Sequence, residues 1–145
     1  LSALTNLRLD DLDLNERSGI ICVRQGKGNR DRNAGVPIKA RKALQDWLAV
    51  RQTLDCSHDY LFVQIRKGYR RLGNRAVQEV VRDVGKHAKL EMELSPHILR
   101  HTAVRLWRQK TDDRITAAQM GHSVMTMLKY DALDGDDVLM AAERI

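Results

Sequence analysis

The chain has 145 residues, a formal net charge of +6 at pH 7 and a sequence pI near 9.6. This length is typical of one ordinary domain with its own core, and the basic charge indicates a polyanionic partner. Two cysteines, Cys22 and Cys56, exclude a disulfide framework, have no CxxC spacing and indicate a reducing compartment. No apolar run reaches membrane-spanning length and no signal peptide opens the chain, so we expect no membrane partner. Because the chain begins at Leu1 within an apolar pattern, we expect that it was cut from a longer chain.

The first third of the sequence predicts a helix end followed by a β-hairpin. "LSALTNL" is typical of the end of a helix, and the β-branched run "GIICVRQ" predicts a strand. "GKGNRDRNAG" supplies glycines for a turn, after which "VPI" is expected to return as a second strand. This arrangement places Lys27 at the tip of the hairpin.

The middle of the sequence predicts two helices around a third strand. Apolar residues follow helical spacing from Ala40 to Leu54, and "YLFVQI" is short enough for a strand. Asn74 is expected to cap the next helix, and Gly85 to weaken its end. The buried stripe predicted for that helix consists of Val77, Val80, Val81 and Val84.

The stretch "SPHILRHT" predicts a helix that begins at Ser95 and Pro96. Its first turns carry His97, Arg100 and His101 on neighbouring surface positions, close to backbone N–H groups that favour an anion. The predicted inner face consists of Leu99, Ala103, Leu106 and Trp107, and short helices are expected at 112–120, 125–130 and 136–145. The predicted fold is therefore mixed, mainly α with a small three-stranded antiparallel β-sheet.

The set of motifs is more informative than any one of them. Gly121 and His122 follow the predicted 112–120 helix, and Tyr130 comes eight positions after His122. The order Lys, HxxRH, GH and Tyr resembles the catalytic domain of the tyrosine recombinases, the phage-integrase family of site-specific DNA recombinases. The resemblance covers nearly the whole chain through the segments "LSALTNLRLDDLDL", "GKGNRDR…VPI", "YLF", "HILRHTA", "MGHS" and "KY".

The resemblance implies a metal-free reaction, without a cofactor, in which a tyrosine attacks a DNA phosphodiester and forms a 3′-phosphotyrosyl bond. Tyr130 is the matching nucleophile. Arg100 and His122 would stabilise the negative charge of the transition state. His97 lies where the family places a group that assists proton transfer from the nucleophile, and Lys27 would protonate the leaving 5′-oxygen.

The basic residues outside this set have two interpretations. A solvated charged face is the simpler one, whereas phosphate contacts on double-stranded DNA are the functional one. The residues predicted to bind DNA are Arg24, Arg30, Arg32, Lys67, Arg70, Arg71 and Arg75. The resemblance further implies a tetramer on DNA. We expect a monomer when the chain is free of DNA, and a cytoplasmic protein of bacterial or phage origin.

Some features depart from the family pattern. The family's first catalytic Arg immediately precedes the segment aligned with "LSAL", so residues 1–145 are interpreted as a catalytic domain truncated at its N-terminus, without the family's N-terminal DNA-binding domain. The chain as given is therefore expected to be inactive. Ala3 stands where the family usually has an acidic residue, and the spacing from His122 to Tyr130 is one residue shorter than usual.

Several alternatives remain open at this stage. The departures fit a catalytically impaired relic of a mobile element, or an accessory DNA-binding protein of the same fold. His97, His101 and His122 could instead be zinc ligands of a hydrolase, although no HExxH motif accompanies them. A type IB topoisomerase uses the same tyrosine chemistry. His101 alone fits either a bond inside the core or support of the site.

Overall fold

A computed structural model describes residues 1–24 and 31–121, except for the side chain of Lys67. Helices predominate in these residues, and a small antiparallel sheet packs beside them, which confirms the predicted fold class. None of the described helices is long and apolar enough to cross a membrane. The helices are α1 (Ser2–Thr5), α2 (Ile38–Thr53), α3 (Asn74–His87), α4 (Pro96–Arg108) and α5 (Asp113–Met120), with 3₁₀ turns at Leu9–Asp11 and Ile65–Lys67.

The three-stranded sheet differs in its members from the prediction. Its strands are β1 (Leu12–Leu14), β2 (Gly19–Val23) and β3 (Arg32–Gly35), in the order β1-β2-β3 with antiparallel pairing throughout. The prediction of a strand at "VPI" is wrong. Pro37 has no N–H to donate to a ladder, and it occupies the N-cap position of α2 instead.

The run "YLFVQI" does not supply the third strand of that sheet, so this prediction is also wrong. Within the run, Tyr60 forms an isolated antiparallel bridge with Arg8, and β4 (Val63–Gln64) pairs with β5 (Arg70–Arg71) in a separate two-stranded sheet. Leu61 is fully buried; its N–H donates to the carbonyl of Leu7 at 2.8 Å, and its own carbonyl accepts from Trp47 Nε1 at 2.9 Å. These bonds hold the run between the start of the chain and α2.

Helix α3 buries a narrower face than its valines suggest. Val77 is 6% exposed, but Val80 and Val84 are 55% and 56% exposed, so their predicted burial is wrong. Asn74 is not the cap: Gly73 occupies the N-cap position, and Asn74 Oδ1 accepts a hydrogen bond from Thr5 Oγ1. Gly85 is buried where a Cβ would lie 2.7 Å from Leu94 Cβ, and the helix continues past it to His87.

Helices α4 and α5 begin where the sequence predicts, and α5 also ends at its predicted glycine. Ser95 Oγ accepts from the N–H of Ile98 at 3.3 Å, Asp112 Oδ1 accepts from the N–H of Ile115 at 2.8 Å, and α5 ends at Gly121 with φ +67°. These contacts confirm the predicted starts of both helices and the end of α5.

The buried face of α4 centres on Val104, which is 1% exposed and packs against Ala117 and Met120 of α5. Leu99 and Leu106, predicted to lie on the inner face, are 45% and 53% exposed because α5 covers the side of α4 that carries Val104. The helices predicted at 125–130 and 136–145 lie outside the described residues.

Two identical substitutions test which valines form the core. Val104→Ala should lower the free energy of unfolding by roughly 2–3 kcal/mol, because two buried methyl groups are removed and a cavity remains. Val80→Ala, on the exposed side of α3, should change it by less than about 0.5 kcal/mol. Urea unfolding of the two variants measures both values. Equal decreases would contradict the assignment of the core.

Candidate active site

A cavity of about 610 Å³ lies between α1, the three-stranded sheet, α3 and α4. Its charged wall consists of Arg32, His97 and Arg100, so it brings together three of the residues predicted from the sequence. Its lining also includes the apolar residues Leu4, Leu7, Val77 and Val81. An anion that enters this cavity would therefore meet the three basic side chains.

Arg100 is held in place by the end of helix α5. Its Nη2 donates a 2.7 Å hydrogen bond to the carbonyl of Met120, the last residue of that helix. The last carbonyls of a helix lack partners within the helix and carry partial negative charge, so a guanidinium is favoured there. A guanidinium restrained in this way is already oriented before an anion arrives.

Arg32 reaches the same helix end from strand β3. Its Nη1 donates a 2.6 Å hydrogen bond to the carbonyl of Gln119. Burial, and then the positive charge of Arg100, lower the pKa of Arg32 from its ordinary value. Gly121 makes the approach feasible, because a Cβ on that residue would lie 2.9 Å from Arg32 Cζ.

His97 and His101 form a hydrogen-bonded pair on consecutive turns of α4. Their Nε2 atoms are 2.6 Å apart and their ring planes meet at 79°. This separation is that of a direct hydrogen bond, whereas two nitrogens coordinated to one tetrahedral zinc ion stand about 3.3 Å apart. One ring must donate and the other accept, so the bond fixes the tautomers of both rings.

The pKa of His101 indicates which ring accepts. Burial lowers this pKa from its ordinary value, and the positive charges of His97 and Arg100 lower it further. A neutral His101 is therefore favoured as the acceptor, with His97 donating from Nε2.

Gln119 is a residue of this region that the sequence analysis missed. Its side-chain amide forms two hydrogen bonds with the backbone of Gly35, at 2.9 Å and 2.8 Å. No local pattern marks it, since a glutamine near the end of a helix is ordinary and its partner lies 84 positions away.

Arg24 lies at the end of β2, where acidic side chains hold it. It donates from Nε to Asp11 at 2.5 Å and from Nη2 to Asp10 at 3.1 Å. The hydrogen bond to Asp11, followed by the charge of Asp10, raises the pKa of Arg24 above its ordinary value. About half of the side chain is exposed, so it can still face a polyanion.

A second group of predicted DNA-binding residues follows strand β4. Arg70 is exposed, while Arg71 donates to Asn6 Oδ1 and lies 5.5 Å from the centroid of the Tyr60 ring. Arg75 is 91% exposed in the first turn of α3, with an ion pair to Glu79 at 3.1 Å. Such exposed pairs contribute little to stability, which leaves Arg75 available to a stronger anion.

The remaining predicted site residues fall beyond the part of the chain that the structure describes. Lys27, Arg30, His122 and Tyr130 lie outside the described residues, as does the side chain of Lys67.

Comparisons with known proteins identify the family of this chain. Residues 1–133 match the family model described as "Phage integrase family". The chain belongs to this family. Tyrosine recombinase XerC of Pseudomonas fluorescens (strain Pf0-1) is 42% identical to it over 136 residues, which are 92% of this chain and 44% of that protein. This integrase-family chain therefore spans less than half the length of such relatives.

Solved structures of recombinases share the fold of this integrase-family chain. The crystal structure of XerA recombinase matches with a TM-score of 0.82 and 35% identity, over 99% of this chain and 52% of that one. XerH recombinase, bound to its palindromic difH substrate in a post-cleavage complex, matches with a TM-score of 0.76 and 26% identity. That match covers 97% of this chain and 40% of XerH.

The histidine pair of this integrase-family chain predicts a specific titration. His101 should titrate below the ordinary histidine pKa, and His97→Gln should raise its midpoint because a neighbouring positive charge is removed. In the unaltered chain, the lowered pKa of His101 means that the folded state binds fewer protons than the unfolded state. The contribution of His101 to stability should therefore decrease as the pH falls from the ordinary histidine pKa through the lowered one. Ring-nitrogen NMR measures the midpoint, and His87→Gln is the control that should leave it in place. A midpoint that does not respond to His97→Gln would contradict the pairing.

Proposed function

We propose that this chain is the catalytic region of a site-specific DNA recombinase of the tyrosine class, which cleaves and rejoins DNA strands through a 3′-phosphotyrosyl intermediate. The observation that carries the proposal is the restrained guanidinium of Arg100 beside His97 on the charged wall of one cavity. Membership of the phage integrase family and the similarity to XerC support it.

In the proposed reaction, the hydroxyl oxygen of Tyr130 attacks the phosphorus atom of a DNA phosphodiester. The bond from phosphorus to the 5′-oxygen breaks as the bond from phosphorus to the tyrosine oxygen forms. The tyrosine proton passes to His97, and the leaving 5′-oxygen receives a proton from Lys27. Rejoining reverses these steps, so neither ATP nor a redox partner is needed.

Arg100 contributes by stabilising the charge that develops on the non-bridging oxygens. Its bond to Met120 orients the guanidinium, whose forked N–H donors match the oxygens of a phosphate in geometry and charge. Because the end of α5 already orients the group, little reorganisation is needed in the transition state. His122 would add a further hydrogen bond to the same phosphate.

Double-stranded DNA is the proposed partner. The +6 charge and the exposed arginines after β4 favour a polyanion, and the similar XerH recombinase is bound to its DNA substrate in the solved structure. We further propose that the protein is monomeric when free, assembles as a homo-tetramer on DNA and acts in the cytoplasm.

A catalytically impaired DNA-binding protein is the second candidate. Ala3 lines the cavity at the position where the family usually has an acidic residue, so it provides no carboxylate to support a neighbouring cation. Such a protein would bind DNA without forming a covalent adduct.

Covalent capture of DNA distinguishes the two candidates. On a nicked duplex that carries its own recombination site, the full-length protein should form an adduct that resists denaturation. Tyr130→Phe should abolish the adduct, and Arg100→Ala should reduce its rate of formation by about 10²–10³-fold. Tyr60→Phe, the matched control, should leave it intact. Adduct formed by Tyr130→Phe would contradict the nucleophile assignment, and no adduct with the unaltered protein would favour the impaired candidate.

The salt dependence of DNA binding tests the basic surface. Removing one cationic side chain from a phosphate should reduce the slope of log K against log salt concentration by about 0.9, because fewer counterions are released. Replacing Arg70 and Arg75 with Gln should therefore flatten the slope. Arg17→Gln, in the exposed turn between β1 and β2, should not. Equal slopes for both variants and the unaltered protein would show that the surface after β4 does not bind DNA.

A further inference from the structure

Gln119 joins helix α5 to the outer edge of the three-stranded sheet. Its Oε1 accepts from the N–H of Gly35 at 2.9 Å, and its Nε2 donates to the carbonyl of the same residue at 2.8 Å. Strand β2 pairs with the other side of β3. The amide of Gln119 therefore takes the place that a further strand would occupy, and it satisfies two backbone groups that would otherwise face outward.

The main-chain carbonyl of Gln119 also binds strand β3, through the side chain of Arg32. Arg32 and Gly35 both lie on β3, and the carbonyl of Gln119 accepts from Arg32 Nη1 at 2.6 Å. The next carbonyl, that of Met120, accepts from Arg100 at 2.7 Å. Two consecutive residues of α5 thus fix the relative positions of two guanidinium groups that come from different elements.

The two guanidinium groups carry like charges in the lining of one cavity. Both line the charged wall, and burial, followed by the charge of Arg100, lowers the pKa of Arg32. Among the described residues, no carboxylate forms an ion pair with Arg32. A phosphodiester has two non-bridging oxygens, so it can accept from both groups and offset their repulsion.

We propose that Gln119 is a positioning residue that holds Arg32 beside Arg100, so that both guanidinium groups bind the non-bridging oxygens of one phosphodiester. The inference rests on the proposed function, because this phosphodiester is the one that Tyr130 attacks. Arg32 thereby becomes a catalytic residue rather than one of several contacts along the DNA backbone.

A purely structural role for Arg32 makes different predictions. A cation at the C-terminus of a helix stabilises the last carbonyls, and Arg32 would then affect stability alone. Loss of Arg32 or Gln119 would in that case lower the melting temperature without any dependence on the charge of the scissile phosphate. The charge of the phosphate is therefore the variable to change.

The test measures adduct formation by the full-length protein on two nicked substrates, one with an ordinary scissile phosphate and one with a neutral methylphosphonate. Gln119→Leu removes both bonds to Gly35, and Arg32→Lys removes the forked donor. On the ordinary phosphate, each should slow cleavage by about 10²-fold. The double variant should be no slower than the slower single variant, because both changes remove one interaction. Gln45→Leu, on the exposed side of α2, is the matched control and should change nothing.

On the methylphosphonate, the defects should shrink to less than about tenfold, because no full negative charge remains to be stabilised. Two results would contradict the claim that Arg32 and Arg100 bind one phosphodiester. One is a double variant whose loss of rate is the product of the two single losses, and the other is an equal loss of rate on the two substrates.

A second measurement does not depend on activity. In this chain, hindered rotation about the Nε–Cζ bond of Arg32, followed by NMR, should disappear in Gln119→Leu and persist in Gln45→Leu. If Gln119→Leu does not fold, Gln119→Glu takes its place. The second carboxylate oxygen of the glutamate would face the carbonyl of Gly35, so that hydrogen bond would be lost. Unchanged rotation would overturn the positioning role even if recombination is established. The unaltered protein could also fail to form an adduct while Arg32 rotates freely in the Gln119 variant. That combination would support the positioning role of Gln119 and contradict the binding of a scissile phosphate by Arg32.

Discussion

The carbonyl groups at the C-terminal end of helix α5 are the constraint on which the geometry of the site depends. A helix leaves its last carbonyls without internal partners, and the aligned peptide dipoles make them negative. Gln119 and Met120 offer two such carbonyls, and arginines from β3 and α4 bind them. One helix end thereby connects the sheet, α4 and α5.

This polar junction complements a small apolar core. The packing between α4 and α5 rests on Val104 and Ala117, with Met120 at its edge. Contacts of this kind determine which faces of two helices meet. Hydrophobic contacts have no preferred direction, however, so they orient a guanidinium poorly. Hydrogen bonds of 2.6 Å and 2.7 Å to fixed carbonyls orient it well. A phosphodiester would then meet donors that are already aligned, which is the condition for electrostatic stabilisation of a transition state.

The sequence predicted the features that depend on neighbouring residues. Ser95 and Asp112 cap their helices through hydrogen bonds to N–H groups three positions away, and Gly121 ends α5 in a left-handed conformation. These signals are local, so residue type and spacing suffice. The motif with His97 and Arg100 was found in the same way, because helical spacing places the two on adjacent turns.

The features that were missed depend on contacts between distant segments. The strand expected at "VPI" fails because the residues before Pro37 pair with β2, and that pairing is not encoded in their polar, glycine-containing composition. Val80 and Val84 are as apolar as Val77, yet the packing of neighbouring elements buries only Val77. Gln119 has no local signal, since its partner Gly35 lies 84 positions away. Asn74 likewise uses its side chain on Thr5 rather than on its own helix.

A crystal structure of the full-length protein on a nicked duplex of its own site tests the central claim most directly. The relevant quantities are the distances from the guanidinium nitrogens of Arg32 and Arg100 to the oxygens of the phosphate that faces Tyr130. The account predicts that both arginines lie about 2.7–2.9 Å from oxygens of that single phosphate, while Gln119 still bonds to Gly35. A scissile phosphate bound by Arg100 with Arg32 on a different phosphate, or bound outside the cavity altogether, would contradict it.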